Sequence, residues 1–149
     1  MALQNKNKEK GFSLIEIMVV IIIMGILASV VGVRVMGRLE EARRTQAMTQ
    51  IDAFKTALKL YRLDNGNYPS NEQGLQALVT MPEVGKLPRK WRQGGYIDGG
   101  IPKDPWGYDY FYQCPGLHGE FDISAYGNDN EPGGEGNDAD VNSWDDTQQ

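Results

Sequence analysis

Residues 12 to 33 make an apolar run of 22 residues, broken only by Ser13, Glu16, Gly25, Ser29 and Gly32. As a helix rising about 1.5 Å per residue the run would extend roughly 33 Å, enough to cross a bilayer core of about 30 Å. The apolar core of a cleaved secretory signal holds about 7 to 15 residues and ends at a small-x-small site, so this run is too long for one. It predicts a transmembrane helix over residues 12–33. Lys6, Lys8 and Lys10 stand before it, opposed by Glu9, and residues 34–149 taken as a whole are acidic. The positive-inside rule then places residues 1–11 in the cytoplasm and residues 34–149 across the membrane.

With 149 residues the chain has room for one ordinary domain beyond this helix. Its 20 Asp and Glu against 15 Lys and Arg give a formal charge of -5, which argues against a nucleic-acid binder that works by neutralising phosphates. One cysteine, Cys114, makes no disulfide within the chain, and one histidine, His118, leaves no Cys/His set of zinc-ligand spacing and argues against a Cys-His nucleophile.

Glu16 is the anomaly inside the apolar run. On insertion scales a carboxylate at the bilayer centre costs on the order of 2.5 to 3.5 kcal/mol, and nothing basic lies between Lys10 and Arg34 to pair with it. Two readings stand open. Either Glu16 lies near enough to the headgroups to reach water, or it has a partner that the uncut chain lacks. A cut between Gly11 and Phe12 would supply one, because the new α-amino group lies one helical turn from Glu16.

Past the run the helical pattern continues. Ala47, Ile51, Phe54, Leu58 and Tyr61 recur at four- and three-residue spacing, with Arg44, Lys55, Lys59 and Arg62 mostly off that stripe and Glu40 placed to pair with Arg44 at i,i+4. Asp64-Asn65-Gly66 stops the helix, Gly66 suiting a left-handed position and Pro69 being unable to continue it. One helix from Phe12 to about Leu63 would be roughly 78 Å long. Ser70 and Gln73 have the form of a capping box opening a short helix with Leu75, Leu78 and Val79 that ends before Pro82. Residues 82–95, rich in Pro, Gly and basic side chains around Trp91, read as a loop. Tyr96–Ile97, Tyr108–Gln113 and Phe121–Ala125 read as short strands between turn residues. The expected fold class is α+β, a long helix packed on a small antiparallel sheet.

From Asp104 to the end there is no Lys or Arg, while the acids run on to Asp146. Between Tyr126 and Trp144, Asp129, Glu131, Glu135, Asp138 and Asp140 alternate with glycines and asparagines. Hard cations take six to eight oxygens from carboxylates and carbonyls, which such a loop can wrap to present, although the spacing is not that of an EF-hand. Composition alone leaves a calcium site and a solvated acidic loop equally open.

At the N-terminus, Lys10-Gly11-Phe12-Ser13-Leu14-Ile15-Glu16 followed by the apolar helix resembles the signal of type IV pilins and type II secretion pseudopilins. In that family an inner-membrane prepilin peptidase cleaves after the glycine and methylates the new N-terminal phenylalanine. The resemblance makes residues 1–11 a cleaved leader ending at Gly11. It makes Phe12 the methylated N-terminus and Glu16 the carboxylate that pairs with a neighbouring subunit's N-terminus during assembly. Leu-Asp-Asn-Gly-Asn-Tyr-Pro at 63–69, Glu-Gln-Gly-Leu-Gln-Ala-Leu at 72–78, Gly-Gly-Tyr-Ile at 94–97 and Asp-Pro-Trp-Gly at 104–107 resemble the major pseudopilin family of type II secretion. The likeness covers nearly all of residues 10–144. One departure is Val33, where the family often has proline.

The resemblance implies a pilin-like fold and a non-enzymatic subunit that polymerises from the inner membrane to drive export of folded proteins across the outer membrane. The implied partners are other copies of the chain, minor pseudopilins, the prepilin peptidase, the inner-membrane assembly platform and membrane lipid, without nucleic acid. The implied location is the inner membrane, single-pass, with the domain of residues 34–149 in the periplasm and a periplasmic pseudopilus after assembly. Major pseudopilins hold calcium in the C-terminal loop. The positions that match here are the carboxylates of Asp129, Asp138 and Asp140 and the backbone of Tyr126, with Glu131 by carboxylate or backbone. Two alternatives are a type IV pilin of a surface fibre, which commonly has two cysteines where this chain has Cys114 alone, and a membrane-tethered calcium-dependent enzyme. The second would need a pair of acids at set separation in a cleft.

Overall fold

The computed structural model of the chain describes residues 12–145, apart from the side chains of residues 30–36. The expected leader, with Gly11 at its end, lies outside these residues. Two compact units follow one another along the chain, residues up to Leu39 and residues from Glu40 onward. One helix, α1 (Leu14–Asn65), contributes to both.

In the first unit the Ser13 carbonyl accepts from the backbone N–H groups of Glu16 and Ile17 at 3.0 and 3.3 Å, which starts α1. Phe12 and the apolar side chains from Leu14 to Leu27 are exposed all round the helix, so no face of this part is chosen by a core. Among the described residues no helix is long and apolar enough to cross a membrane. Residues 30–33, which complete the expected span, are among those whose side chains are not described.

The second unit is built on the predicted stripe. Ala47, Ile51, Phe54, Leu58 and Tyr61 are all buried, joined by Ala57. Burial of each large side chain contributes about 1.5 to 3 kcal/mol. Opposite them lie Leu75, Ala77 and Leu78 and, from the sheet side, Tyr110, Ile123, Ala125 and Val141. Phe54 meets Tyr110 edge to face, centroids 5.0 Å apart.

The sheet is antiparallel in the order β1 (Phe111–Gln113), β2 (Asp122–Ala125), β3 (Val141–Asn142). Phe111 pairs with Ser124, and Ser124 with Asn142. Alternation therefore puts these three on the face away from the core, where the Ser124 hydroxyl donates to Asn142 Oδ1 at 2.8 Å.

α1 stops where the sequence places its end. Gly66 has φ +81° and its N–H bonds back to the Arg62 carbonyl at 2.7 Å. The capping-box pair also forms, with Ser70 N–H donating to Gln73 Oε1 at 3.0 Å and Gln73 N–H to Ser70 Oγ at 3.4 Å, but it closes a turn and the helix beyond it is only a 3-10 segment, Leu75–Leu78. Tyr96–Ile97 is not a strand. Its one ladder-like bond runs from Tyr96 N–H to the Leu78 carbonyl, and Gly94, Gly95, Gly99 and Gly100 on either side all have positive φ, outside the extended region of a regular strand. The expected Glu40–Arg44 pair is not made: Glu40 lies 3.5 Å from Arg43, and Arg44 bonds to the acidic loop.

Candidate functional site

Two sites were expected, one at each end of the chain. At the N-terminus, Glu16 occupies the first turn of α1, where the unpaired N–H groups of the helix favour a negative charge. Phe12 precedes the helix with 78% of its surface exposed, so its ring does not pack on the rest of the described chain.

The acidic loop leaves β2 at Tyr126, whose ring lies 5.7 Å from that of Phe111. Burial, and then the charge of Asp140, hold the Tyr126 phenol above the ordinary tyrosine range. Two glycines let the loop close on itself. A Cβ on Gly127 would come within 2.7 Å of the Asp138 carbonyl, and one on Gly134 within 2.6 Å, so both glycines approach the Asp138 carbonyl more closely than a side chain would allow. The Asn128 N–H donates to the Asn137 carbonyl at 3.2 Å, and its side-chain amide to Asp138 Oδ1 at 3.3 Å.

The predicted ligands are distributed around this loop. Asp129 accepts from the Glu131 N–H at 3.1 Å, a turn within the exposed tip that also carries Glu131 and Glu135. Asp138 ends the 3-10 segment Gly136–Asp138. Asp140 is half-buried and its groups are divided: Oδ2 accepts from the Gly133 N–H at 2.9 Å, the main-chain carbonyl accepts from Arg44 Nη2 at 3.1 Å, and Oδ1 is buried with no partner. Among the described residues no three His, Cys, Asp or Glu side chains converge as a metal site. The orphaned Oδ1 of Asp140 nevertheless fits a hard cation, which takes carbonyl as well as carboxylate oxygens.

Residues that hold the loop from outside had no signal in the sequence. Arg44, one turn before the core stripe, donates from Nη1 to the Ala139 carbonyl at 2.9 Å and from Nη2 to that of Asp140. Buried Asp122, at the start of β2, accepts from the Leu117 N–H at 2.7 Å and lies 3.1 Å from His118 Nδ1, and the His118 ring stacks on Trp144 at 3.8 Å.

Residues 34–144 match the family described as type II secretion system (T2SS), protein G, and residues 6–32 match the prokaryotic N-terminal methylation motif. The chain belongs to the protein G family of the type II secretion system. It is 47% identical to the type II secretion system core protein G of Vibrio cholerae over 95% of this chain and 96% of that one. It is 46% identical to that of Pseudomonas aeruginosa over 94% and 98%. Among solved structures it is similar to the major pseudopilin from the type 2 secretion system of enterohaemorrhagic Escherichia coli, with a TM-score of 0.65 and 44% identity over 73% of this chain and 92% of the other. The pseudopilin-like α+β arrangement expected from the sequence is therefore the fold of this family member.

Proposed function

We infer that the chain is a major structural subunit of a type II secretion pseudopilus. The observation that carries this reading is the joining of a methylation motif at residues 6–32 to a protein G domain at 34–144 through one continuous α1. The N-terminal part of that helix offers exposed apolar side chains on every side and one carboxylate, Glu16. Such a surface is stable only in lipid or against other copies of itself. Cleavage after Gly11 and methylation of Phe12 by a prepilin peptidase give an N-terminus that pairs with Glu16 of a neighbour. Residues 12–33 hold the subunit in the inner membrane before assembly, with the remainder in the periplasm. Other copies, minor pseudopilins and the inner-membrane assembly platform are its partners, and its work is mechanical rather than catalytic.

Calcium belongs to the same proposal. Asp140 Oδ1 is the oxygen best prepared for it, with Asp138, Asp129, the Tyr126 backbone and Glu131 as the further donors. When bound, the ion supplies charge neutralisation to a loop whose acids otherwise repel one another.

Mass spectrometry of membrane-derived protein from cells with a working secretion system, combined with electron microscopy of sheared filaments, tests the reading. A chain beginning at methylated Phe12 and present in filaments is the expected result. Intact Met1-containing protein, absent from filaments, overturns it. Melting of the full-length chain in detergent should occur at a higher temperature with calcium than with chelator, since an ion bound only to the folded loop stabilises by RT ln(1 + [Ca²⁺]/Kd). Coincident melting curves reject the calcium part alone.

A further inference from the structure

Asp140 carries three acceptor oxygens, and the protein commits two of them. The Gly133 N–H takes Oδ2, Arg44 Nη2 takes the main-chain carbonyl, and Oδ1 remains buried and unpaired. Arg44 reaches across 95 residues of sequence to take the preceding carbonyl, that of Ala139, as well. Ala139 is the residue between Asp138 and Asp140, so one guanidinium grips the backbone that joins two of the acids. The planar guanidinium presents two N–H groups as a rigid fork, which suits two neighbouring carbonyls and which an ammonium does not reproduce.

The consequence is a fixed direction for Asp140. Its main chain is held from α1 and Oδ2 from the loop tip, and in that orientation Oδ1 lies buried. A buried carboxylate oxygen left without a donor is unfavourable unless something cationic reaches it. Arg44 itself does not, because both of its bonds here go to carbonyls.

We propose that Arg44 is the positioning residue of the calcium loop: it clamps the carbonyls of Ala139 and Asp140 so that Asp140 Oδ1 is set in place before the ion arrives. This rests on the calcium reading above. The clamp also ties the loop to the stretch of α1 directly before the core stripe. Loss of the clamp leaves calcium to order the 139–140 segment itself. That added cost corresponds to about one backbone residue's conformational entropy, roughly a tenfold weakening of affinity. Removal of a nearby positive charge acts in the opposite direction, so the sign of the change decides whether position or charge dominates.

The experiment is calorimetric titration of calcium into the full-length chain in detergent, stripped of metal, for wild type, Arg44→Ala, Arg44→Lys and the neighbouring control Arg43→Ala, with melting curves in calcium and in chelator. The expected result is a Kd raised about tenfold in Arg44→Ala and raised several-fold in Arg44→Lys, although the lysine keeps the charge, with Arg43→Ala unchanged. Protease cleavage near Gly133 to Gly136 should also persist at calcium levels that protect wild type. An unchanged or tighter Kd in Arg44→Ala overturns the proposal, as does equal lowering of the melting temperature with and without calcium, the mark of a purely structural contact. If Arg44→Ala does not fold, Arg44→Lys decides by the same criteria. Absence of calcium binding by wild type removes the calcium reading and the proposal together, whereas binding indifferent to Arg44 removes the proposal alone.

Discussion

The indole Nε1–H of Trp106 donates to Glu40 Oε1 at 3.0 Å, across 66 residues of sequence. It fastens the Asp104-to-Gly107 turn to α1 one helical turn before Arg44 fastens the acidic loop. The turn is itself shaped by Asp104, whose Oδ1 accepts from the N–H groups of Trp106 and Tyr108 at 3.0 and 2.8 Å. Glu40→Ala leaves the indole donor without its acceptor, and such an orphan costs about 1 to 3 kcal/mol. Glu40→Gln keeps an acceptor and should recover at least half of that loss. Thermal unfolding of the two variants in detergent checks the order, and equal melting temperatures for Ala and Gln would reject it.

Glu16 gives a second prediction with two separable readouts. Replacement by alanine takes a carboxylate out of an apolar helix, so membrane insertion and cleavage before Phe12 should proceed as in wild type. Filament yield and secretion should nevertheless fall, because the incoming N-terminus loses its counter-charge. Fractionation and mass spectrometry report the first, electron microscopy the second. Normal filaments from Glu16→Ala would show that the pairing is dispensable.

Glycine at 127 is required by space as well as by conformation. Its φ is +62°, and an added Cβ would lie 2.7 Å from the Asp138 carbonyl, a contact with backbone that cannot swing aside. At Gly133 φ is +102°, yet a Cβ would meet nothing within 4 Å. Gly127→Ala should therefore destabilise by about 2 kcal/mol or more, and Gly133→Ala by only the conformational part, about 1 kcal/mol. Denaturant unfolding of both variants measures the gap, which disappears if the loop shifts freely.

Alkaline pH should unfold the domain through its tyrosines. Burial holds the Tyr110 and Tyr112 phenols well above the ordinary value near 10, with the charge of Asp104 adding at Tyr110 and Cys114 at Tyr112. Tyr112 donates to the Pro69 carbonyl at 2.9 Å, and Tyr110 to Gln50 Oε1. Below pH 10 both states keep these protons and the stability is fully present. Above it the unfolded chain ionises while the folded one does not, so stability falls as pH rises toward the folded values. Tyr112→Phe should begin less stable by about 1 kcal/mol, the lost hydrogen bond, and decline less steeply in alkali. Tyrosinate absorbance alongside unfolding curves detects both, and an unchanged slope would exclude Tyr112 as a contributor.

The parts of this fold legible in the sequence are those that local chemistry decides. The stripe from Ala47 to Tyr61 and the stop at Gly66 follow from helical spacing and from glycine's access to positive φ, and both appear as expected. Tyr96–Ile97 reads as a strand because the residues favour one, yet the flanking glycines turn the chain and the Tyr96 ring is packed against Tyr61 instead. β3, Val141–Asn142, is too short to stand out among the acids around it. At the acidic loop the residue types were legible and their arrangement was not. The family resemblance picked out Asp129, Asp138 and Asp140, but nothing local distinguishes the one with an unpaired buried oxygen, and no pattern links Arg44 to carbonyls 95 residues away.

Asn65 closes α1 with a buried amide that donates to the Tyr61 carbonyl and the Tyr96 hydroxyl, both at 3.0 Å, and accepts from the Lys90 N–H at 2.9 Å. At the other end of the same helical segment Glu40 and Arg44 hold Trp106 and the 139–140 carbonyls. The segment between them therefore acts as a ruler with a fixed phase. Inserting or deleting one residue there shifts one set of anchors by about 1.5 Å and rotates it by about 100° against the other, so that both cannot be met together. A length change between residues 44 and 65 therefore breaks one set of anchors or the other, because the count of residues there is itself part of the structure.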